Sequence, residues 1–235
     1  MGPRLQQELG RQLKAPRPAR PASERVQVRR LRKRGRYDRA TIDAILDEGL
    51  VCHVGFVHER APVVIPTLYW REGDHVYLHG SAVSRMLDTA RKAPVCVTVT
   101  HIDALVLTRS AFHHSVNYRS VVILGRPEEV TDPAEKAARL RTFMEQLMPG
   151  RWDALRPVKP KELKATRLLR LPLDEASAKI RDYGPADEKA DLTWPAWGGL
   201  IPIETRAGAP QPDEAARSAG RAAPAPRKPG RVAGA

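Results

Sequence analysis

The stretch that decides the fold reads His75-Val76-Tyr77-Leu78-His79-Gly80-Ser81-Ala82-Val83-Ser84-Arg85. Its first half alternates apolar with polar side chains, which is the period of a half-buried strand. After Gly80-Ser81 the apolar residues return at helical spacing, so a helix capped by Ser81 is predicted over residues 82–92. Free backbone N–H groups at such a helix start form an anion site, to which Arg85 would add a guanidinium. The alternative is an ordinary strand-to-helix turn, with His79 at the end of its strand.

Hairpins dominate the sequence on both sides of this stretch. Asp38 and Asp132 are predicted to cap two helices, over residues 38–49 and 132–148. The alternating apolar pattern predicts strands over residues 50–57, 63–70, 75–79, 94–100, 104–108, 118–124, 166–173 and 177–181. Because strands and helices do not alternate regularly, we expect a mainly β fold, an antiparallel barrel with inserted helices.

The positive charge is concentrated at the two ends of the chain. The 235 residues carry a formal charge of +13, yet residues 37–203 hold 22 basic and 22 acidic side chains. The ends are rich in Ala, Pro, Gly and Arg, a composition that buries too little apolar surface to fold. We therefore predict a disordered basic arm over residues 1–24, one folded domain over 25–205 and a disordered tail over 206–235.

The basic block over residues 29–36 has two interpretations. It could contact nucleic acid or anionic lipid, or it could lie on the domain as a solvated arm. Since the charge does not extend into the folded part, specific binding of nucleic acid is not expected.

Several classes of protein are excluded because their sequence patterns are missing. The sequence contains no run of about 18 apolar residues, so no membrane span is predicted. No apolar signal-peptide core follows the basic N-terminus. We therefore expect a cytoplasmic protein without a membrane partner. The nucleotide-binding patterns GxGxxG and GxxxxGK[ST], the GxSxG nucleophile elbow and a metal-ligand spacing of histidines are also absent. No metal is predicted, and Cys52 and Cys96 are expected to be buried, reduced thiols.

Two further stretches carry information about a site. The proline in Ile65-Pro66-Thr67 removes a ladder donor from a predicted strand, which is usual at a sheet edge or where something other than a strand faces the backbone. Trp194 and Trp197 lie within a few residues of each other near the end of the domain. They either close a hydrophobic core or form an aromatic wall beside a planar ligand.

Taken together, these stretches resemble one protein family. Along residues 25–203 the motifs are Ile65-Pro66-Thr67-Leu68-Tyr69, Leu78-His79-Gly80-Ser81, Ser84-Arg85, Ser115-Val116-Asn117-Tyr118-Arg119-Ser120-Val121-Val122 with Gly125, Ser177-Ala178-Lys179 and Trp197-Gly198-Gly199. This set resembles the pyridoxamine-phosphate-oxidase-like group of FMN-binding split-barrel proteins, in its nitroimidazole-reductase-like branch. The resemblance implies a six-stranded antiparallel split β-barrel that forms a homodimer, with FMN in a groove between the subunits.

The resemblance also implies which residues contact the cofactor. In chain order, the implied FMN-binding residues are Ile65, Pro66, Thr67, His79, Gly80, Ser84, Arg85, Tyr118, Arg119, Ser120 and Trp197. Ser84 and Arg85 match phosphate-binding positions, where an arginine and helix-end N–H groups suit a dianion. His79 matches a histidine associated with the active site, and acts either as a proton donor or as a flavin contact.

The implied activity is that of an FMN-dependent oxidoreductase, with two-electron reduction of a small organic substrate of nitro or quinone type. NAD(P)H or another reduced donor would supply the electrons. Pyridoxamine-phosphate oxidases carry an Arg and a Lys in the strand that here reads Val63-Val64-Ile65-Pro66-Thr67-Leu68, and a C-terminal Arg-x-His element, and neither is found here. Oxidation of that vitamin is therefore not expected. Two other functions remain open, a flavin carrier or sensor without turnover and a haem-handling protein on the same barrel.

Overall fold

The computed structural model describes residues 19–224, and the disorder predicted for residues 1–18 and 225–235 lies outside that range. The α-helices within this range are α1 (Arg39–Glu48), α2 (Arg85–Ala90), α3 (Pro133–Leu147), α4 (Pro160–Ala165) and α5 (Glu214–Ser218). The strands are β1 (Gly35–Arg36), β2 (Val51–His58), β3 (Ala61–Glu72), β4 (His75–Ser81), β5 (Val95–Leu107), β6 (Ser115–Gly125), β7 (Glu128–Glu129), β8 (Thr166–Pro172), β9 (Ala176–Arg181) and β10 (Gly199–Pro202).

One antiparallel sheet contains all of these strands. Its order is β1-β9-β6-β5-β2-β3-β4-β8-β7, with β10 paired to the C-terminal half of β5. The sheet wraps around a main core without closing, so the fold is mainly β and consistent with a split barrel. The described residues form ten strands rather than the six that the resemblance implied, partly because β1, β7 and β10 add short pairings of two to four residues.

Helices α1 and α2 bury their apolar faces inside the sheet, against the inward side chains of the long strands. Asp38 caps α1 by accepting a hydrogen bond from the backbone N–H of Thr41 at 2.8 Å. Asp132 caps α3 in the same way, from the N–H of Glu135 at 2.7 Å. Both predicted helix starts are confirmed.

Helix α3 packs on the opposite, outer side of the sheet. It forms a second core cluster whose buried members are Trp70, Tyr77, Val130, Phe143 and Leu168. This helix covers the outer face only over β4, β8 and the end of β3. The rest of that face leaves apolar side chains in solvent, namely Val51, Val57, Val64 and Leu68.

Strand β5 is continuous, although two separate strands were predicted there. Ile102 pairs with Tyr118 and Ala104 pairs with Asn117, so Asp103 is a β-bulge without a partner on β6. One extra residue reverses the alternation of side chains that follows it. Odd-numbered residues of β5 are therefore buried before the bulge, and even-numbered residues are buried after it.

The two cysteines differ in their environment. Cys52 faces the main core and is fully buried, as predicted, and burial raises the pKa of its thiol to about 12. Cys96 is only partly buried, because it lies on the outward side of β5 between the buried residues Val95 and Val97. Both thiols are free.

The hairpin between β2 and β3 holds two residues in the left-handed backbone region, Glu59 at φ 49° and Arg60 at φ 67°. A two-residue turn of this kind favours Asn-Gly, because most other residues have a higher conformational energy at positive φ. We expect the double variant Glu59→Asn/Arg60→Gly to raise the free energy of unfolding by about 1 kcal/mol, measured by urea denaturation.

A reciprocal control for this prediction lies in the next hairpin. Gly73 has φ 56°, and an added Cβ there would meet nothing within 4 Å. Gly73→Ala should therefore destabilise the protein through its backbone alone. A Glu59→Asn/Arg60→Gly variant no more stable than the wild type would contradict the strain argument.

Candidate functional site

The sheet opens between β3 and β4. Tyr69–Glu72 of β3 pair with β4, whereas the residues of β3 before Tyr69 pair only with β2. Strand β4 continues to Ser81 and pairs there with β8 alone. The two strands therefore separate after Tyr69, and each presents a free edge. We call this opening the split.

Pro66 lies on the free edge of β3. The backbone N–H of Tyr69 donates to the carbonyl of Leu50 at 3.2 Å, towards β2. Since backbone groups alternate in direction along a strand, those of residues 64, 66 and 68 point away from β2 and into the split. The backbone N–H that Pro66 lacks would have pointed into the split. Its absence therefore removes no hydrogen bond between β3 and β2. The predicted edge position of this proline is confirmed.

The neighbours of Pro66 turn their side chains elsewhere. Ile65 packs against the main core, and Thr67, two residues on, is on the same side of the strand. Pro66 itself is exposed. A ligand in the split would therefore meet the backbone of β3 and the ring of Pro66 before it met Ile65.

His79 lies on β4 at the border between the split and α3. Its ring centroid is 4.9 Å from that of Phe143 and 5.7 Å from that of Trp70. Its Nδ1 atom is buried and has no hydrogen-bond partner within residues 19–224. Burial lowers the pKa of this imidazole and so favours its neutral form. A neutral imidazole is a poor proton donor, which favours a contact or ligand role for His79.

Helix α2 begins later than the sequence predicted. Strand pairing continues through Ser81, and the helix covers six residues from Arg85 with Ser84 as its cap. The prediction of a Ser81-capped helix over residues 82–92 is therefore wrong. Gly80 serves packing, because a Cβ there would lie 3.1 Å from Cδ1 of Leu87.

Arg85 remains the cation nearest to this turn. Its side chain is exposed and makes no hydrogen bond or ion pair with any residue in the described part of the chain. The hydroxyl of Ser84 accepts the N–H of Leu87 at 3.4 Å. Ser84 and Arg85 thus lie together at the start of α2, just beyond the end of β4.

Strand β6 places its three predicted site residues on two different faces. Val121 is buried in the main core, so Arg119 points inwards while Tyr118 and Ser120 point outwards. Arg119 donates to Glu48 at 2.9 Å and to Asp103 at 2.7 Å. Its guanidinium is already neutralised by two carboxylates, on the side of the strand away from Tyr118 and Ser120.

Trp194 and Trp197 are 66% and 63% exposed. They do not close a core, and only the interpretation as an aromatic wall remains open. The ring of Trp197 lies against Gly199, where a Cβ would come within 2.6 Å of it. Gly199 begins β10, so Trp197 is held beside the C-terminal half of β5.

In one chain the predicted site residues form separate groups. Pro66, His79, Gly80, Ser84 and Arg85 surround the split. Tyr118 and Ser120 lie on β6, three strands from β3 and about 14 Å across the sheet. Trp197 lies on a further segment. A single site containing all of them would need a second chain.

Sequence reasoning missed Arg181 and Tyr183, which follow the quoted Ser177-Ala178-Lys179 motif directly. Arg181 is 3% exposed and pairs with Tyr118 in the β9–β6 ladder. The motif extended by two residues would have indicated Arg181, and extended by four residues it would have indicated Tyr183 as well. The basic block over residues 29–36 had two interpretations, contact with nucleic acid or anionic lipid and an arm that lies on the domain. The structure shows its Gly35 and Arg36 paired with β9.

Residues 19–224 contain neither a metal-binding cluster nor a membrane-spanning helix. No group of three or more His, Cys, Asp or Glu side chains there could hold a metal ion. Every helix in that range is too short or too polar to cross a bilayer.

Comparisons with known proteins identify relatives. The family profile described as pyridoxamine 5'-phosphate oxidase matches residues 38–180. A flavocytochrome, Anf3 from Azotobacter vinelandii, is 43% identical with a TM-score of 0.81, over 83% of this chain and 92% of that one. The FAD and haem binding protein from Mycobacterium smegmatis is 33% identical with a TM-score of 0.74, over 77% and 89%.

A more distant structure belongs to Bacteroides thetaiotaomicron VPI-5482 and is assigned to 5-nitroimidazole antibiotic resistance. It is 21% identical with a TM-score of 0.52, over 72% of this chain and 90% of that one, and so supports the fold alone. A comparison with curated protein sequences finds no significant match. The profile match over more than half of the sequence, together with the 43% identity to a solved structure, shows that this chain belongs to the pyridoxamine 5'-phosphate oxidase family.

Proposed function

We propose that this protein binds a flavin, as FMN, at the split and uses it for two-electron transfer with a small organic substrate. The observation that carries the proposal is the free edge of β3, where the backbone groups of Val64 and Leu68 and the carbonyl of Pro66 face no strand. Unpaired backbone groups beside apolar side chains suit a planar ring with hydrogen-bonding edges. Family membership and two flavin-binding relatives, one of which binds FAD, support a flavin as the ligand.

The residues at the split fit this cofactor. The free edge of β3 would hold the ring, and Ser84 with Arg85 would hold the phosphate. A bound flavin supplies hydride or two-electron chemistry, while the protein supplies position and electrostatics. His79 would contact the ring edge as a neutral imidazole. The substrate type, nitro or quinone, follows from the resemblance of the sequence to the nitroimidazole-reductase-like branch.

A visible spectrum of the purified full chain tests this proposal directly. Oxidised flavin absorbs in the visible range, and anaerobic NAD(P)H should bleach the bound form if the protein is a reductase. A bound flavin that no donor reduces would indicate a carrier or sensor instead. A protein that neither contains nor takes up flavin would overturn the proposal.

Arg85→Ala is expected to weaken FMN binding by about 1.5–3 kcal/mol, the range for a charge-assisted hydrogen bond. The reason is that Arg85 has no partner among residues 19–224 and is free to pair with a phosphate. Fluorescence titration of the apoprotein with FMN measures the effect. Riboflavin, which lacks the phosphate, is the matched control and should bind both proteins equally. Equal FMN affinity in the variant and the wild type would remove Arg85 from the site.

We also propose a homodimer with two flavin sites, each built from both chains. The uncovered outer face supports it, because Val57 and Val64 are 62% and 63% exposed on neighbouring strands. Exposed apolar patches of this kind mark interfaces, and an obligate dimer would bury on the order of 2,000 Å² or more. A second chain would also bring Tyr118, Ser120 and Trp197 to the split of its partner.

Light scattering at micromolar concentration should report about twice the chain mass of 26.1 kDa. Val57→Glu places a charge on the patch and outside the split, and should shift the protein towards monomer with loss of flavin, since a ligand of the dimer stabilises it by mass action. Phe112→Glu is the control, because Phe112 is 89% exposed on the turn between β5 and β6, outside both the patch and the split. A wild-type monomer that retains flavin would exclude the shared site.

Haem is a second candidate ligand, favoured by His79. A neutral imidazole with a buried, unpaired Nδ1, placed against Trp70 and Phe143, has the character of an iron ligand in an apolar pocket. Two relatives support it, since one is a flavocytochrome and the other binds FAD and haem. Bound haem would supply one-electron chemistry beside the flavin.

A further inference from the structure

A buried arginine at the end of β9 has no acidic partner. Arg181 donates to the side-chain oxygen of Asn117 and to the carbonyls of Tyr183 at 2.7 Å and Gly184 at 3.3 Å, all of them neutral acceptors. Its Nε is buried and unbonded within residues 19–224. Arginine stays charged in proteins, and burying a charge without an opposite charge is costly.

A second guanidinium lies close to the first. Both contact the ring of Tyr183, whose centroid is 4.0 Å from Cζ of Arg181 and 5.2 Å from Cζ of Arg34. Arg34 donates to the hydroxyl of Tyr183. Cation–π contacts stabilise each guanidinium without reducing the total charge.

Lys179 adds a third positive charge on the same side of β9. Ile180 packs on the main core, so Lys179 and Arg181 both face away from it. Lys179 lies opposite Ser120 on β6 and opposite Gly35 on β1. Among the described residues no ion pair joins Arg34, Lys179 or Arg181 to a carboxylate.

We propose that this cationic patch, formed by Arg34, Lys179 and Arg181 with the hydroxyls of Tyr118, Ser120 and Tyr183, binds the phosphate groups of a nucleotide. Guanidinium, ammonium and hydroxyl donors at neighbouring positions of β6, β9 and the start of β1 match the many acceptor oxygens of a phosphate or pyrophosphate. The bound anion would supply the negative charge that Arg181 lacks. Arg34 is half-buried and makes the direct contact, while the buried Arg181 acts through its charge.

The ligand has two possible sources with the same chemistry. One is the adenylate half of a dinucleotide flavin, and the other is a nicotinamide dinucleotide that donates electrons. In one chain the patch is four strand positions from β3, about 19 Å across the sheet, so it is separate from the split. The flavin source rests on the proposed dimer, in which Tyr118 and Ser120 of one chain reach the split of the other, whereas pyrophosphate binding by the patch is measured without any flavin.

Calorimetric titration of the full chain with inorganic pyrophosphate and with ADP tests the patch. Arg34→Ala and Lys179→Ala should each weaken binding about tenfold, the loss of one charge-assisted contact. Arg126→Ala is the matched control, since Arg126 is exposed and unpaired within residues 19–224 but lies at the other end of β6. Equal affinities in all four proteins, or no binding by the wild type, would overturn the proposal.

Competition experiments distinguish the two possible ligands, a dinucleotide flavin and a nicotinamide dinucleotide. If the ligand is a dinucleotide flavin, ADP competes with FAD but not with FMN, and Lys179→Ala weakens FAD alone. If it is a nicotinamide dinucleotide, ADP competes with NADPH in protein already saturated with flavin. A single-stranded oligonucleotide that binds more tightly than ADP and is insensitive to Lys179→Ala would overturn the nucleotide site. Arg85→Ala should leave pyrophosphate binding unchanged, so failure at the split is distinguishable from failure here.

Discussion

Replacing Arg119 with methionine is expected to lower the free energy of unfolding by about 3 kcal/mol, the lower end of the range for breaking a buried ion pair. Arg119 connects α1 to the bulge of β5 through Glu48 and Asp103. The three side chains are 24%, 22% and 35% exposed, so each carboxylate would be left partly desolvated without a cation. Urea denaturation measures the loss.

A triple variant separates the charge effect from simple loss of packing. In Arg119→Met/Glu48→Gln/Asp103→Asn no unpaired carboxylate remains, so much of the lost stability should return. FMN affinity of the folded Arg119→Met protein should be unchanged, because the guanidinium points away from Tyr118 and Ser120. A stable variant that has lost FMN would instead restore Arg119 to the cofactor site.

The same ion pair gives a pH dependence with a defined sign. The hydrogen bond from Arg119 lowers the pKa of Glu48 below its ordinary value of 4.5, in spite of burial. A carboxyl with a depressed folded pKa stabilises the protein above its unfolded pKa and loses that contribution as the pH falls through the folded value. The stability difference between the wild type and Arg119→Met should therefore narrow below about pH 4.

His79→Phe is expected to abolish haem binding while keeping the fold. The phenyl ring fills the space against Trp70 and Phe143, and it removes the buried, unpaired Nδ1, so stability should be equal or higher. Loss of the iron ligand should weaken haem binding by on the order of a hundredfold or more. Titration of the apoprotein with haem, followed by its visible absorption, gives the affinity.

His75→Phe is the control for this variant. His75 is on the same face of β4 but near Tyr77, with ring centroids 6.2 Å apart, at the end of the strand away from the split. It should leave haem binding unchanged. Undiminished haem affinity in His79→Phe would exclude His79 as the ligand, and loss in both variants would point to a structural effect.

The sequence predicted the elements whose signals are local. The caps at Asp38 and Asp132 are examples, because each is decided by a side chain and an N–H three residues later. The start of α2 was predicted wrongly since Ser81 has the local character of a cap. Its pairing with Thr166 on β8 is a contact between distant segments, and it extends the strand instead.

In the candidate site, too, some features follow from local sequence and others depend on distant segments. Strand alternation alone indicates that Arg119 and Ser120 face opposite ways, but not which face is buried. That depends on Glu48, which is 71 residues away, and on a bulge that local sequence does not show. Pro66 was informative because a proline cannot donate a backbone hydrogen bond in any fold. The patch at Arg181 was missed because its charge becomes unusual only once burial is known.

The bulge at Asp103 also limits how this protein can change during evolution. Gain or loss of one residue in β5 would exchange the buried Ala104 and Val106 with the outward Leu105 and Leu107. Such a change would alter the inside and the outside of the sheet together, and no single compensating substitution could repair both. Selection should therefore hold the length of this strand constant, and changes in length should accumulate in the tight turns between the other strands.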